Sequence, residues 1–188
     1  MNCGFSNQPD EYRHIWITGV PGSGKTTLHQ KIWAQAAQIL PNTQTVGFFT
    51  QFSTRAGFKK TLRWKAYDGS ISILVAVEGN GFPKMKAEKN GFKQATAVME
   101  QYSAQRKLFV VDELGFLEQS FPEFQYQVFR LIDECWRSIV VMRNMQSRFF
   151  SDLKSRKDSW IINVSPENRD TFVCEVQKKG RCLWKKQW

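Results

Sequence analysis

Histidine and cysteine are scarce: the 188 residues hold 2 His and 4 Cys. The cysteines (Cys3, Cys135, Cys174, Cys182) form no CxxC pair, and His14 and His29 are too scattered to complete a Cys/His metal site. Both facts exclude a zinc-finger or disulfide-framework protein. The thiols read as reduced structural cysteines; a Cys174–Cys182 bridge is open geometrically but does not suit a reducing compartment. Long apolar runs are missing too. Ile73–Val77 and Leu108–Val111 fall far short of the ~20 residues that span a bilayer. The opening Met1-Asn2-Cys3-Gly4-Phe5 lacks the basic-then-apolar pattern of a signal peptide. The expectation is a cytoplasmic protein without a membrane partner, and a monomer. No repeat of roughly 20–50 residues and no low-complexity linker divides the chain. Residues 1–188 therefore read as one domain, long enough to bury roughly 70% of its unfolded surface. Acidic residues are in deficit, 17 against 27 Lys and Arg, for a net charge of +10. Such a surplus suits a polyanionic partner.

Hydrophobic periodicity orders the elements. His14–Thr18, Thr45–Phe52, Leu108–Val111, Ser138–Met142 and Ser159–Val164 read as strands. Gly24–Leu40, Phe92–Arg106, Phe121–Trp136 and Gln146–Leu153 read as helices. Thr61–Ala66 and Ser70–Val77 read as a hairpin about Tyr67-Asp68-Gly69, and Gly81–Asn90 as a Lys-rich loop. Leu108–Val111 is apolar throughout, as a central parallel strand buried on both faces must be. The alternation predicts a three-layer α/β fold with a mostly parallel sheet and an antiparallel hairpin at one edge.

Gly19-Val20-Pro21-Gly22-Ser23-Gly24-Lys25-Thr26 fits the phosphate-loop pattern G-x-x-x-x-G-K-[ST] at every fixed position, between a predicted strand and a predicted helix. Glycines let the backbone curl so that its N–H groups form an anion nest at the helix N-terminus. Lys25 reaches the β- and γ-phosphates of a nucleotide, and the Thr26 hydroxyl ligates Mg²⁺; Thr27 completes the binding stretch. Leu108-Phe109-Val110-Val111 ends in Asp112-Glu113. On a strand beside the loop strand, Asp112 is assigned to the metal and Glu113 to the general base that activates water. Without an acceptor in view, Glu113 points to hydrolysis; a nucleotide or small-molecule kinase on the same loop is the alternative.

These residues resemble the family of THEP1-type and cancer-related nucleoside-triphosphatases. The resemblance runs from His14 through the loop to Leu28, then Gly47-Phe48-Phe49-Thr50, Arg55-Ala56-Gly57-Phe58, Val111 through Ser120 with Phe124 after it, and Ser155 through Asp170. It implies a Rossmann-like phosphate-loop fold and slow Mg²⁺-dependent hydrolysis of nucleoside triphosphates to diphosphates, with tolerance of several bases. The chain departs from the family pattern where Phe52-Ser53-Thr54 shortens the second gap, and where Phe116-Leu117 replaces the commoner Lys-Met. Arg55, Arg143, Arg148 and Arg169 are candidates for neutralising γ-phosphate charge, and Asn168-Arg169-Asp170 reads equally as a fork facing the base or ribose or as a capped turn. Basic charge gathers in residues 55–93 and 137–188, acidic charge in 112–134. The ending Lys178–Trp188 has five basic residues, two Trp and no acid. It reads as a solvated or Trp-docked tail, with a grip on single-stranded nucleic acid, and a nucleic-acid-stimulated NTPase, as the alternative.

Overall fold

The computed structural model describes residues 12–40, 42–54, 56–103, 106–172 and 174–175. Strand β1 (His14–Gly19) leads into helix α1 (Lys25–Ile39), then β2 (Thr45–Ser53), β3 (Thr61–Ala66), β4 (Ser72–Glu78) and β5 (Met85–Ala87). Helix α2 (Lys89–Glu100) precedes β6 (Leu108–Leu114), a 3-10 turn (Leu117–Ser120) and α3 (Pro122–Glu134). The described elements close with β7 (Arg137–Met142), α4 (Arg148–Lys154) and β8 (Ser159–Val164). One sheet runs in the order β5-β4-β3-β2-β6-β7-β1-β8. The five strands from β2 to β8 are parallel neighbours. β3, β4 and β5 pair antiparallel and form one edge.

Side chains alternate across each strand, and the two faces fill differently. Ile15 and Ile17 pack with Leu28, Ile32 and Ala36 of α1 on one face. Trp16, Phe48 and Val111 pack with Phe92, Phe124 and Phe150 of α2, α3 and α4 on the other. Each fully buried Leu or Ile stabilises the fold by about 1.5–3 kcal/mol. The buried Trp16 indole also satisfies its polar atom, with Nε1 donating to the Leu153 carbonyl at 3.0 Å. Leu108–Val111 is buried throughout, as its composition requires for the strand between two parallel neighbours. Cys135 is a free thiol in the core. Among the described residues no helix is long and apolar enough to cross a membrane.

Three sequence expectations need correction. The loop Gly81–Asn90 contains β5 and the start of α2, because buried Met85 pairs with Glu78 and Ala87 with Ala76. Helix α2 spans Lys89–Glu100 rather than Phe92–Arg106. Gly91, which looks like a helix breaker, sits inside it because a Cβ there would lie 1.9 Å from the Leu74 carbonyl oxygen. Most consequential for the site, the Asp112 strand does not lie beside the loop strand: β7 stands between β6 and β1 and pairs with both.

Candidate active site

The parallel strands end along one edge, and the phosphate loop caps the end of β1. Gly24 adopts φ +96° and ψ 18° as the residue preceding α1. That left-handed conformation favours glycine, and a Cβ would also meet the Arg169 Cδ at 2.4 Å. Helix α1 begins without a side-chain cap and without an acid in its first turn. Its leading N–H groups and dipole are thus left for an anion. Within the loop the Ser23 N–H donates to the Val20 carbonyl at 3.2 Å. The buried Ser23 hydroxyl has no hydrogen-bond partner among the described residues. Lys25 is buried, and its Nζ donates to the carbonyls of Gly19 at 3.1 Å and Val20 at 2.9 Å. Thr26 and Thr27 are exposed on the first turn of α1, and Val20, Pro21 and Gly22 form the exposed rim.

Helix α1 crosses β7, which brings its first turn to the end of β6. The Thr26 hydroxyl donates to Asp112 Oδ1 at 3.4 Å despite the intervening strand. A register irregularity between Asp112 and Leu114 interrupts the β6–β7 ladder. An inserted residue locally breaks strict alternation. Asp112 meets Thr26, while Glu113 Oε2 lies 4.0 Å from Lys25 Nζ and Glu113 Oε1 accepts a hydrogen bond from Arg143 Nε. Burial pushes the Asp112 carboxyl up to about 6; the Thr26 hydrogen bond opposes this, the Glu113 charge adds to it, and Lys25 opposes it. Buried Glu118, in the 3-10 turn, accepts the Gly115 N–H at 2.8 Å, and burial pushes its carboxyl up to about 7. Arg143 lies over the Phe116 ring at 5.9 Å.

Two cavities meet here. One, of about 1170 Å³, is walled by the loop, by Phe82–Met85 and by Arg143–Met145. The other, of about 600 Å³, lies between α1 and β2. Thr26, Glu113, Phe116 and Arg143 line both.

Of the predicted arginines, Arg143 reaches the acids and Arg169 lies against Gly24. The Arg148 side chain is 95% exposed and faces Asp152 at 3.8 Å, and it lines neither cavity. Arg55 lies outside the described residues, as do the tail 178–188 and Cys182. Asn168 holds a turn: its Oδ1 accepts the Ser165 N–H at 2.8 Å, and its Nδ2 donates to the Asn163 carbonyl at 3.0 Å. Sequence reasoning gave no role to Glu118, His29, Trp33 or Tyr67, all of which line the smaller cavity.

A phosphate loop on a parallel sheet, facing two acids across one strand, defines a P-loop protein of the α/β class. The family model described as NTPase matches residues 14–177, and the chain belongs to that family. It is 28% identical over 171 residues to the nucleoside-triphosphatase THEP1 of Thermotoga maritima, covering 86% of this chain and 92% of that one. It is 26% identical over 183 residues to the cancer-related nucleoside-triphosphatase homolog of Bos taurus, covering 87% and 94%. The fold is similar to the solution structure of a human cancer-related nucleoside triphosphatase (TM-score 0.70, 21% identity, 94% of this chain and 100% of that one). It is also similar to the crystal structure of THEP1 from Aquifex aeolicus (TM-score 0.68, 21% identity, 87% and 96%).

Proposed function

We propose that the chain hydrolyses nucleoside 5′-triphosphates to diphosphate and phosphate, with Mg²⁺ and with loose preference for the base. The observation that carries this reading is the convergence of Thr26, Lys25, Asp112 and Glu113 at the head of an uncapped helix. The loop amides and Lys25 bind the triphosphate and stabilise charge on the transferring group. Arg143, already beside Glu113, supplies a second cation on the γ-phosphate side, and Arg169 borders the loop at Gly24.

The donor set fits Mg²⁺. Among the described residues no three His, Cys, Asp or Glu side chains cluster as an all-protein cage. Mg²⁺ characteristically takes one or two protein oxygens and completes its shell with water and substrate phosphate. Thr26 and Asp112 are such oxygens, and a nearby dication holds a buried carboxyl ionised. When bound, the ion draws charge from the phosphate oxygens. Glu113 accepts the proton of the attacking water as its oxygen bonds to the γ-phosphorus and the bond to the bridging oxygen breaks.

The test is phosphate release from ATP, GTP, CTP and UTP with Mg²⁺ and with EDTA. Release from several triphosphates is expected with Mg²⁺, none with EDTA, and none from Lys25→Ala. No release from any triphosphate with Mg²⁺ overturns the reading.

A further inference from the structure

The smaller cavity is larger than hydrolysis requires. A water molecule takes up about 30 Å³ of the liquid. The cavity holds about 600 Å³, within the range of sites that enclose small organic ligands. It exists because α1 covers only part of its face of the sheet. β2 and the start of the β3–β4 turn form a floor beside the helix, and the acids at the end of β6 close one end. Glu113 therefore has the phosphate loop on one side and this chamber on the other.

The lining suits a flat, polar-edged molecule. The Tyr67 ring sits 4.9 Å from Trp33, 5.4 Å from Phe49 and 6.4 Å from His29, between centroids. Gln30 and Gln51 add amide groups that read heterocycle edges. His29 is 1% exposed, and neither of its ring nitrogens has a hydrogen-bond partner among the described residues. Both nitrogens are shielded from the cavity as well as from solvent, so the imidazole supports the Tyr67 ring and offers a ligand no polar atom. Charge narrows the class further. Asp112, Glu113 and Glu118 line the cavity, and Arg143 is the one cation among its described lining residues, already engaged by Glu113. The described lining residues at the aromatic end carry no cation, which favours a neutral ligand there, while Lys60 stands over the exposed Phe52 ring at 4.1 Å.

We propose that this cavity binds a neutral, nucleoside-sized heteroaromatic alcohol, and that the chain transfers the γ-phosphoryl group of its triphosphate to that hydroxyl as well as to water. The proposal rests on the triphosphate occupying the phosphate loop. The acceptor oxygen forms a bond to the γ-phosphorus while the bond from that phosphorus to the β–γ bridging oxygen breaks. The hydroxyl proton passes to the Glu113 carboxylate and then to solvent. The products are a phosphomonoester and a nucleoside diphosphate, with no change of oxidation state. Hydrolysis is then the reaction of the same centre when water alone stands beside Glu113.

The experiment uses the full chain with Mg²⁺ and ATP carrying heavy oxygen in its γ-phosphate. Adenosine, guanosine, cytidine, uridine and thymidine are offered separately in excess. Mass spectrometry then reads the label in free phosphate and in each nucleoside monophosphate. Labelled monophosphate from at least one nucleoside, formed faster than labelled phosphate, is expected. Phe49→Ala and Gln51→Ala should each raise the KM for that nucleoside, by about tenfold for the lost ring contact. Gln51 is exposed, so its variant remains informative if Phe49→Ala fails to fold. Labelled phosphate without monophosphate overturns the acceptor proposal and leaves the hydrolase reading standing. So does a nucleoside that binds in calorimetry without being phosphorylated. Neither product overturns both.

Discussion

Exchanging Glu113 for glutamine should separate nucleotide binding from turnover. Glutamine keeps the shape of the side chain and an oxygen that accepts from Arg143 Nε. It loses the charge and the proton-accepting oxygen. The Arg143 and Glu113 side chains are 43% and 24% exposed, so solvent screens their ion pair. Its weakening should cost at most about 1 kcal/mol of stability. Loss of a general base typically slows the chemical step by about 10²–10⁴-fold, equivalent to ~3–5 kcal/mol on the barrier. The kinetic effect should thus exceed the structural one several-fold. Affinity should hold or improve, because a carboxylate 4.0 Å from Lys25 no longer competes with phosphate for that ammonium. Single-turnover phosphate release, titration with a fluorescent triphosphate and a thermal melt read the three quantities apart. Turnover at the level of the parent chain would refute the role of Glu113. Loss of turnover accompanied by equal loss of binding or a collapsed melting temperature would refute the separation.

Three further outcomes follow from local geometry. Gly24→Ala places a side chain at φ +96° against the flexible end of Arg169, so the fold should survive while nucleotide affinity falls by about tenfold, read by the same titration. Gly47→Ala is harsher: at φ +127° its Cβ would lie 2.0 Å from the Val110 carbonyl oxygen on the neighbouring strand, and urea unfolding should show a loss of about 2–5 kcal/mol. Burial lowers the His29 pKa from 6.5 to about 4, so the native state favours the neutral ring and the unfolded chain takes up the proton first. Stability from this site is complete above pH 6.5 and is lost as pH falls toward 4; His29→Leu should flatten the acid limb of the stability curve by about 3 kcal/mol, and an NMR titration of His29 with a midpoint near 6.5 would refute the burial argument.

What can be read from the residues divides by range. The loop and the Asp112-Glu113 pair are contiguous, and the chemistry that needs them constrains neighbours in sequence. Strand β8 is legible to the residue, because Ser159–Val164 is short and bounded by turn-forming residues. β5 is not, because Met85-Lys86-Ala87 is too short for periodicity and is held by pairing with β4. The position of β7 between β6 and β1 is a property of the whole sheet, to which no local pattern refers. The smaller cavity is the least legible part. His29 and Trp33 come from α1, Phe49 from β2, and Tyr67 from the β3–β4 turn. Aromatic residues at such spacings are indistinguishable from core until the uncovered stretch of sheet is seen. Of this group the sequence singles out Phe49 in a family motif and Tyr67 only as part of a turn.

The proposed division of labour between adjacent acids rests on one irregularity in β6. In a regular strand, Asp112 and Glu113 would point to opposite faces of the sheet, and one of them would be lost to the loop. With the ladder interrupted between Asp112 and Leu114, both remain at the loop but in different surroundings. Asp112 accepts the Thr26 hydroxyl, is pushed up by burial, and is the carboxyl that a dication would relieve of its desolvation. Glu113 faces Lys25 and Arg143, the two cations proposed to address phosphate, and borders both cavities. Two carboxylates of like chemistry are thereby given unlike surroundings, which is what the proposed metal and base roles require. The double variant Asp112→Glu with Glu113→Asp would keep the charge but misplace both reaches by one methylene. Turnover should then fall by about 10²-fold, the scale set by an ångström of misplacement at a reacting centre. A double variant that turns over at the parent rate would show that the two positions are interchangeable.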